Sequence, residues 1–452
     1  MKTIQFELRL ALHSRLAAGA LALLLVLTVL AVWSGLHAVS AQRAALARIA
    51  VVQRDDVAAV AQKYGDGGEA GYAAYSTPHL TVNPPAPLAF AAFGQRDVQP
   101  YALRVRLLGL HAQLYESESI NPELAAAGRF DFAFVLVYLA PLFVIALMHD
   151  LVAGEREAGR LRLVDSLPVP GLRLWQRRIA LRLGLVLAAL LLPFAVGAAG
   201  AGVVPGDALL VALGAALYLA FWFGVAAAVA ALVRTSAAGA AVLLAVFVVL
   251  TLVLPTFVNG AIGRAVPVSK GAELALAQRQ EVHNGWDLPK GVTMTKFFRT
   301  HPEWRDTAPV TGRFHWKWYY AMHQAGDDAV ATQAGEYRAA LVARDDWTRH
   351  SGWLLPSVAV QVLLHRLADT DLAGQLAYQD RIAAFHARLR RFFYPYIFND
   401  RPFGPADFAS LPTWQGSGAG GGVALPALAA LGVLAGLGCA AGAVRLRRVQ
   451  VL

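Results

Sequence analysis

Six stretches of this 452-residue chain are long and apolar enough to cross a lipid hydrocarbon core, which takes roughly 20 helical residues. They are Leu16–His37, Phe132–Met148, Ala180–Val203, Ala208–Val233, Ala237–Asn259 and Val423–Val444. Backbone polar groups inside a bilayer must pair within their own segment, so six such runs dictate helices. Composition agrees: 57% of residues are hydrophobic and only 15% are charged, against about 25% charged in a soluble domain. The expected fold is an all-α membrane protein with six transmembrane helices and a mainly helical extracytoplasmic domain built from two insertions. No Lys, Arg, Asp, Glu or His lies mid-span, and Arg182 enters the third span only at its end, where it can snorkel to the headgroups. That argues against a proton pump or an ion-coupled carrier. Val39-Ser40-Ala41 resembles a signal-peptidase site, but the run before it is longer than a signal core. An uncleaved anchor is expected.

Charge sets the orientation. The net charge is +10, which in a soluble protein would raise nucleic-acid binding as a candidate. Segments 38–131 and 260–422 are nearly neutral, with 8 and 18 basic residues against 9 and 15 acidic ones. The remaining 14 bases and 6 acids lie at residues 1–15, in the 149–179 connection and at Arg182 just beyond it, in the span-four-to-five connection, after residue 444, and in the third-to-fourth turn, which has no base. The positive-inside rule therefore predicts cytoplasmic termini, a 445–452 tail inside, and both long segments outside. The charge records orientation in a membrane, and no nucleic-acid partner is expected.

The first external segment continues the first helix over Gln42–Tyr64. A Gly- and Pro-rich stretch follows, then a second helical run from Tyr101 to Tyr115. In the second segment, helices are expected over Ser269–His283, Trp316–Arg349 and Pro356–Phe393, the last bent near Asp369-Thr370-Asp371. Aromatics from Phe392 to Trp414 crowd its end, just before the Gly416–Gly422 linker, and read as an interfacial belt.

Catalytic signatures are missing. There is no phosphate-cradling Gly-x-x-x-x-Gly-Lys-Ser/Thr loop, no His-Glu-x-x-His and no Gly-x-Ser-x-Gly. No two histidines stand three or four residues apart, so a metal site would have to be assembled through space and none is expected. His301-Pro302-Glu303-Trp304 has no neighbouring nucleophile or ligand and reads as a structural turn. The single cysteine, Cys439, excludes an intrachain disulfide.

Two local patterns carry more. His149 to Leu163 forms a charged connection containing Glu155-Arg156-Glu157-Ala158-Gly159-Arg160-Leu161, then Ser166-Leu167-Pro168. A charged hairpin continuous with two spanning helices can pass force from a docked partner. At the amino terminus Ile4, Leu8, Leu12 and Leu16 recur every four residues between charges, the pattern of an amphipathic helix lying on membrane lipid.

With these residues the chain resembles the transmembrane permease subunits of ABC type-2 exporters, which have an interfacial amino-terminal helix, six spans and a Glu-x-x-x-Gly-Thr-Leu coupling loop. Arg160 stands where that loop has Thr. A narrower resemblance is to the large-ectodomain branch of the family, catalogued as a domain of unknown function. It rests on Asn121-Pro122-Glu123-Leu124, Gly128 to Val135, Pro141-Leu142, His301 to Trp304, and the stretch from Leu355-Pro356-Ser357 to Asp369-Thr370-Asp371.

The resemblance implies a non-catalytic permease in the cytoplasmic (inner) membrane that works with a separate ABC ATPase subunit. The chain itself then needs no cofactor, and ATP and Mg belong to the partner. Docking would use Glu155, Arg156, Glu157, Gly159 and Leu161, a second turn at Arg234, Thr235 and Ser236, and the interfacial helix. A second permease copy or a paralogue would complete the path. Two small-residue ladders, Gly432-x-x-x-Gly436 and Gly438-x-x-x-Gly442, permit close helix contact and mark a candidate subunit interface. The alternative from another class is a membrane-anchored signalling or assembly protein whose ectodomain binds a partner.

Overall fold

The computed structural model describes residue 7 and residues 14–115, 128–161, 171–268, 271–416, 422 and 425–449. It is 78% helical with almost no sheet. Six helices have the length and composition to cross a membrane: Arg15–Tyr64, Phe132–Glu157, Leu172–Ala201, Pro205–Leu232, Ser236–Ala265 and Leu425–Arg447. All six expected spans are present. The connections 149–161 and 233–235 lie at one end of the bundle, the loop face. The two insertions lie at the other.

The first helix runs unbroken for 50 residues, about 75 Å at 1.5 Å per residue. Less than half of that crosses a bilayer, and the rest is a mast for the insertions. Ser14 caps its start, accepting the Ala17 N–H at 3.4 Å. Gly67, at φ +79°, turns the chain after its end.

Spans two and five each contain a π-helical turn, Val135–Leu139 and Val249–Val253. Each lies just before a proline, Pro141 or Pro255, which lacks an N–H and crowds the carbonyl four residues back. In span two that carbonyl, Val137, accepts the Tyr218 hydroxyl at 2.9 Å. The break is therefore satisfied from span four.

The apolar residues form two cores. One fills the bundle, and it includes two pieces of the insertions. Residues 88–93 wedge between spans one, two and three. Gly35 lets this wedge in, because a Cβ there would lie 1.9 Å from the Phe90 carbonyl oxygen. The second piece is the Pro356–Leu367 helix, buried except at Arg366. It packs among spans two, four, five and six. Gln361 Nε2 donates to Tyr138 Oη at 3.3 Å, and Ser357 Oγ donates to the Leu250 carbonyl at 3.3 Å. Both contacts fall on the π turns. Gly214 makes room for Leu363, whose Cδ2 lies 2.3 Å from where a Cβ would stand.

The second core belongs to the insertions. Its long helices are Gly271–Asp287, Lys290–Thr300, Trp316–Ser351 and Leu372–Phe398. The bend expected at Asp369-Thr370-Asp371 is a full break: Asp369 takes φ +53° and Asp371 caps the next helix through the Gly374 N–H at 2.9 Å. The helix expected over Tyr101–Tyr115 is corrected. Ala102–Val105 is a strand paired antiparallel with His79–Val82, and only Leu110–Leu114 is helical. Alternation of Leu103 and Val105 with Arg104 and Arg106 is the period-two signal behind it. The interfacial belt is also corrected. Phe393, Phe398 and Phe403 are fully buried and Tyr394 and Phe408 nearly so, all within the insertion core.

Candidate coupling site

The loop face is built on short-range ionic and hydrogen-bond contacts. After the second span turns at Met148, residues Ala153–Glu157 make one helical turn and a half. Gly159 ends it at φ +70°, a conformation glycine enters without steric cost. That reversal brings the Arg160 N–H onto the Glu155 carbonyl at 2.9 Å and the Arg160 guanidinium onto Glu155 Oε2 at 2.7 Å. Leu161 is buried in the bundle core and anchors the far side of the turn.

Glu155 is also gripped from span three. Arg178 Nη1 donates to Glu155 Oε1 at 2.8 Å, and Arg178 Nε lies 3.3 Å from Glu7 Oε2. One guanidinium thus ties the amino-terminal segment, the loop and span three together. It lies over the buried Trp175 ring at 5.4 Å, which fixes its plane. Arg182 adds a contact to the Leu147 carbonyl and lies 3.8 Å from Asp150.

The other side of the loop holds span five. Glu157 Oε1 accepts the Ser236 N–H and Glu157 Oε2 accepts the Ser236 hydroxyl, both at 2.9 Å. Ser236 is the first residue of that span, whose unpaired N–H groups and positive dipole end favour a carboxylate. Thr235 caps the same end through the Ala238 N–H at 3.3 Å. Arg156 Nη1 donates to the Val233 carbonyl at 3.0 Å. Gly239 keeps the two elements close, since a Cβ there would lie 2.7 Å from the His149 carbonyl oxygen.

Most of the residues singled out from the sequence therefore converge. Glu155, Arg156, Glu157, Gly159, Leu161, Thr235 and Ser236 form one continuous contact set, while Arg234 projects from it, exposed. Ile4, Leu8, Leu12, Ser166-Leu167-Pro168 and Asn121-Pro122-Glu123-Leu124 lie outside the described residues. Arg178 and Trp175 are not among the residues singled out from the sequence, and Arg182 is there only as a snorkelling side chain. Their signal, basic residues at helical spacing around an aromatic at the start of span three, was read only as orientation charge.

The other candidates lie elsewhere. His301 stacks on Phe297 with ring centroids 4.7 Å apart, and Trp304 stacks on Phe398 at 5.4 Å, with Pro302–Trp304 as a 3-10 turn between them. Glu303 points outward and is exposed. Among the described residues no three His, Cys, Asp or Glu side chains form a metal-sized cluster. The glycine ladders of span six part company. Gly438 and Gly442 lie against Phe221 and Gly224 of span four in the same chain, whereas a Cβ at Gly432 or Gly436 would have no neighbour within 4 Å among the described residues. Among the described residues, then, the first ladder is left unpacked. Trp222 and Phe223 are buried in the bundle.

Residues 1–288 match the family model described as ABC-2 family transporter protein, and residues 272–416 match Domain of unknown function (DUF3526). No curated protein and no solved structure matches the chain. The six spans and the match over more than half of the sequence make one statement together: the chain belongs to the ABC-2 transporter family, as a multi-pass membrane permease of an ABC transporter.

Proposed function

We propose that this chain is the permease subunit of an ATP-driven exporter, moved by a separate ABC ATPase that docks on the loop face. The observation that carries the reading is the double contact of Glu157 with Ser236. It fastens the loop after span two to the first turn of span five, so that a push on the loop is delivered to both helices. Those same two spans hold the π turns that meet the buried Pro356–Leu367 helix. Closure of the ATPase dimer would tilt spans two and five together and shift that helix, opening the insertion end. Such a device has two states biased by a partner.

In this reading the loop face is cytoplasmic, both termini lie inside, and the insertions form an ectodomain outside an inner membrane. The concentration of basic residues at the loop face supports this. A second permease, identical or paralogous, would complete the path, with the open Gly432 and Gly436 face as one place to meet it. ATP and Mg would be held by the ATPase chains.

The test is replacement of Glu155 by Ala and of Gly159 by Val in the reconstituted complex, with permease-stimulated ATP hydrolysis as the readout. The expected result is a severalfold loss of stimulation with the spans still folded. Full stimulation in a transport-competent complex would remove this loop as the point of input.

A further inference from the structure

The two insertions meet where Gly68–Glu69 pairs antiparallel with Pro402–Phe403. Beside this seam lies a groove of about 430 Å³, walled by Glu69, Gly71, His315, Trp316, Asp400 and Arg401 among others. That volume falls within the roughly 300–1,000 Å³ of small-molecule sites. It lies far from the coupling loop, at the opposite end of the molecule.

Two of its polar groups are held in place from behind. His315 caps the Trp316–Ser351 helix, its Nδ1 accepting the Lys317 N–H at 3.2 Å. The neutral ring then carries its proton on Nε2, a donor. Asp400 is held by Lys317, whose side chain is 1% exposed and whose ammonium donates to Asp400 Oδ2. Its backbone sits at φ +53°, a left-handed conformation that costs a non-glycine residue energy and persists only where the surroundings impose it.

The spacing of these groups selects a ligand chemistry. His315 Nε2 and Asp400 Oδ1 stand 3.8 Å apart, too far for a hydrogen bond with each other. A hydroxyl between them satisfies both, because it accepts from Nε2–H and donates to the carboxylate. Glu69 and Asp400 balance Arg401 and Lys317 in formal charge, so the groove has no net charge to attract an ion. Trp316 supplies an aromatic wall, with Tyr72 at 4.7 Å and Phe314 at 5.0 Å edge-on to it. Tyr396 lines the same groove. Such rings offer apolar faces beside hydrogen-bonding groups. An uncharged ligand with several hydroxyls and flat C–H faces fits all of this.

We infer that this groove is a saccharide site, which takes a neutral pyranose unit against the Trp316 wall with one hydroxyl bridging His315 and Asp400. The site does not depend on the export reading, and its test does not use transport. Full-length protein is purified in a sugar-free polyoxyethylene detergent and titrated calorimetrically with the trisaccharides of glucose, N-acetylglucosamine, mannose and galactose. At least one is expected to give saturable binding. His315→Asn keeps a helix-capping oxygen but withdraws the Nε2 donor, and it is expected to weaken that binding at least tenfold with an unchanged unfolding midpoint. Arg401→Ala, on an exposed side chain, is expected to weaken it severalfold and decides the matter if His315→Asn fails to fold. Absence of saturable binding by all four sugars overturns the site. Parental affinity in the folded variants does so as well.

Discussion

Glu157 and Ser236 are 79 residues apart, yet the carboxylate of one accepts both the N–H and the hydroxyl of the other at 2.9 Å. The contact closes the loop face across spans two and five. Glu157→Ala removes both bonds from an exposed position, so the fold should survive while the mechanical link is cut. The expected outcome is an unchanged unfolding midpoint with severalfold weaker stimulation of the partner ATPase. Ser236→Ala, which keeps the N–H bond, should have a smaller effect.

At the opposite end, the Pro356–Leu367 helix answers to the same two spans. The double variant Ser357→Ala, Gln361→Leu removes its hydrogen bonds to Leu250 and Tyr138. Each such bond contributes about 0.5–1.5 kcal/mol net. The variant should still bind and stimulate the ATPase while substrate flux in proteoliposomes falls. Parallel loss of both activities would place the helix outside the route from loop to exit.

The glycines of span six separate two kinds of contact. Gly442→Leu pushes side-chain atoms into span four, where the Gly224 carbonyl oxygen is 2.7 Å from a Cβ. Overpacking of this kind costs about 1–3 kcal/mol, which should appear as a lowered unfolding midpoint. Gly432→Leu and Gly436→Leu point where a Cβ meets none of the described residues. They should leave the midpoint of the separated subunit unchanged and, where that face meets a second permease, lower the dimer fraction in crosslinking.

The insertion core should be sensitive to acid. Burial lowers His79 and His323 to about 4 and His386 to about 3 from an ordinary 6.5. Arg390 depresses His386 further, and Asp327 opposes it. The folded core keeps these rings neutral while the unfolded chain takes up protons below pH 6.5. Stability is therefore full above that pH and falls as the pH drops from 6.5 towards 4, by about 1.4 kcal/mol per unit for each ring. Unfolding of the full chain followed by tryptophan fluorescence should show a lower midpoint at pH 5 than at pH 7.5. His79→Leu should flatten the difference in part, since the other depressed histidines remain.

The bundle was legible in the sequence because each span is a long apolar run, and the coupling loop because Glu155, Gly159 and Leu161 lie close together along the chain. The Pro356–Leu367 helix was not legible as part of the bundle, since 12 residues cannot cross a bilayer and it reads like any buried helix of a soluble domain. Wedging of Phe90 against Gly35 was equally hidden, because it depends on a close approach between residues 55 positions apart. The terminal aromatics misled for a related reason. Nearness in sequence to span six suggested the membrane surface, but Phe393, Phe398 and Phe403 turn back into the insertion core. Arg178 was visible as charge, but its partners Glu7 and Glu155 come from separate segments that only the fold brings together.

The central claim, that this permease is driven through its loop face by an ATPase on another chain, is tested most directly by the composition of the native complex. Gentle extraction of the tagged full-length chain, followed by mass measurement of the intact assembly, should yield an ABC ATPase in equal number with the permease. Glu155→Ala combined with Glu157→Ala should reduce ATPase stimulation in that assembly. A permease recovered with no ATPase at all, from membranes in which it is correctly inserted, would contradict the account.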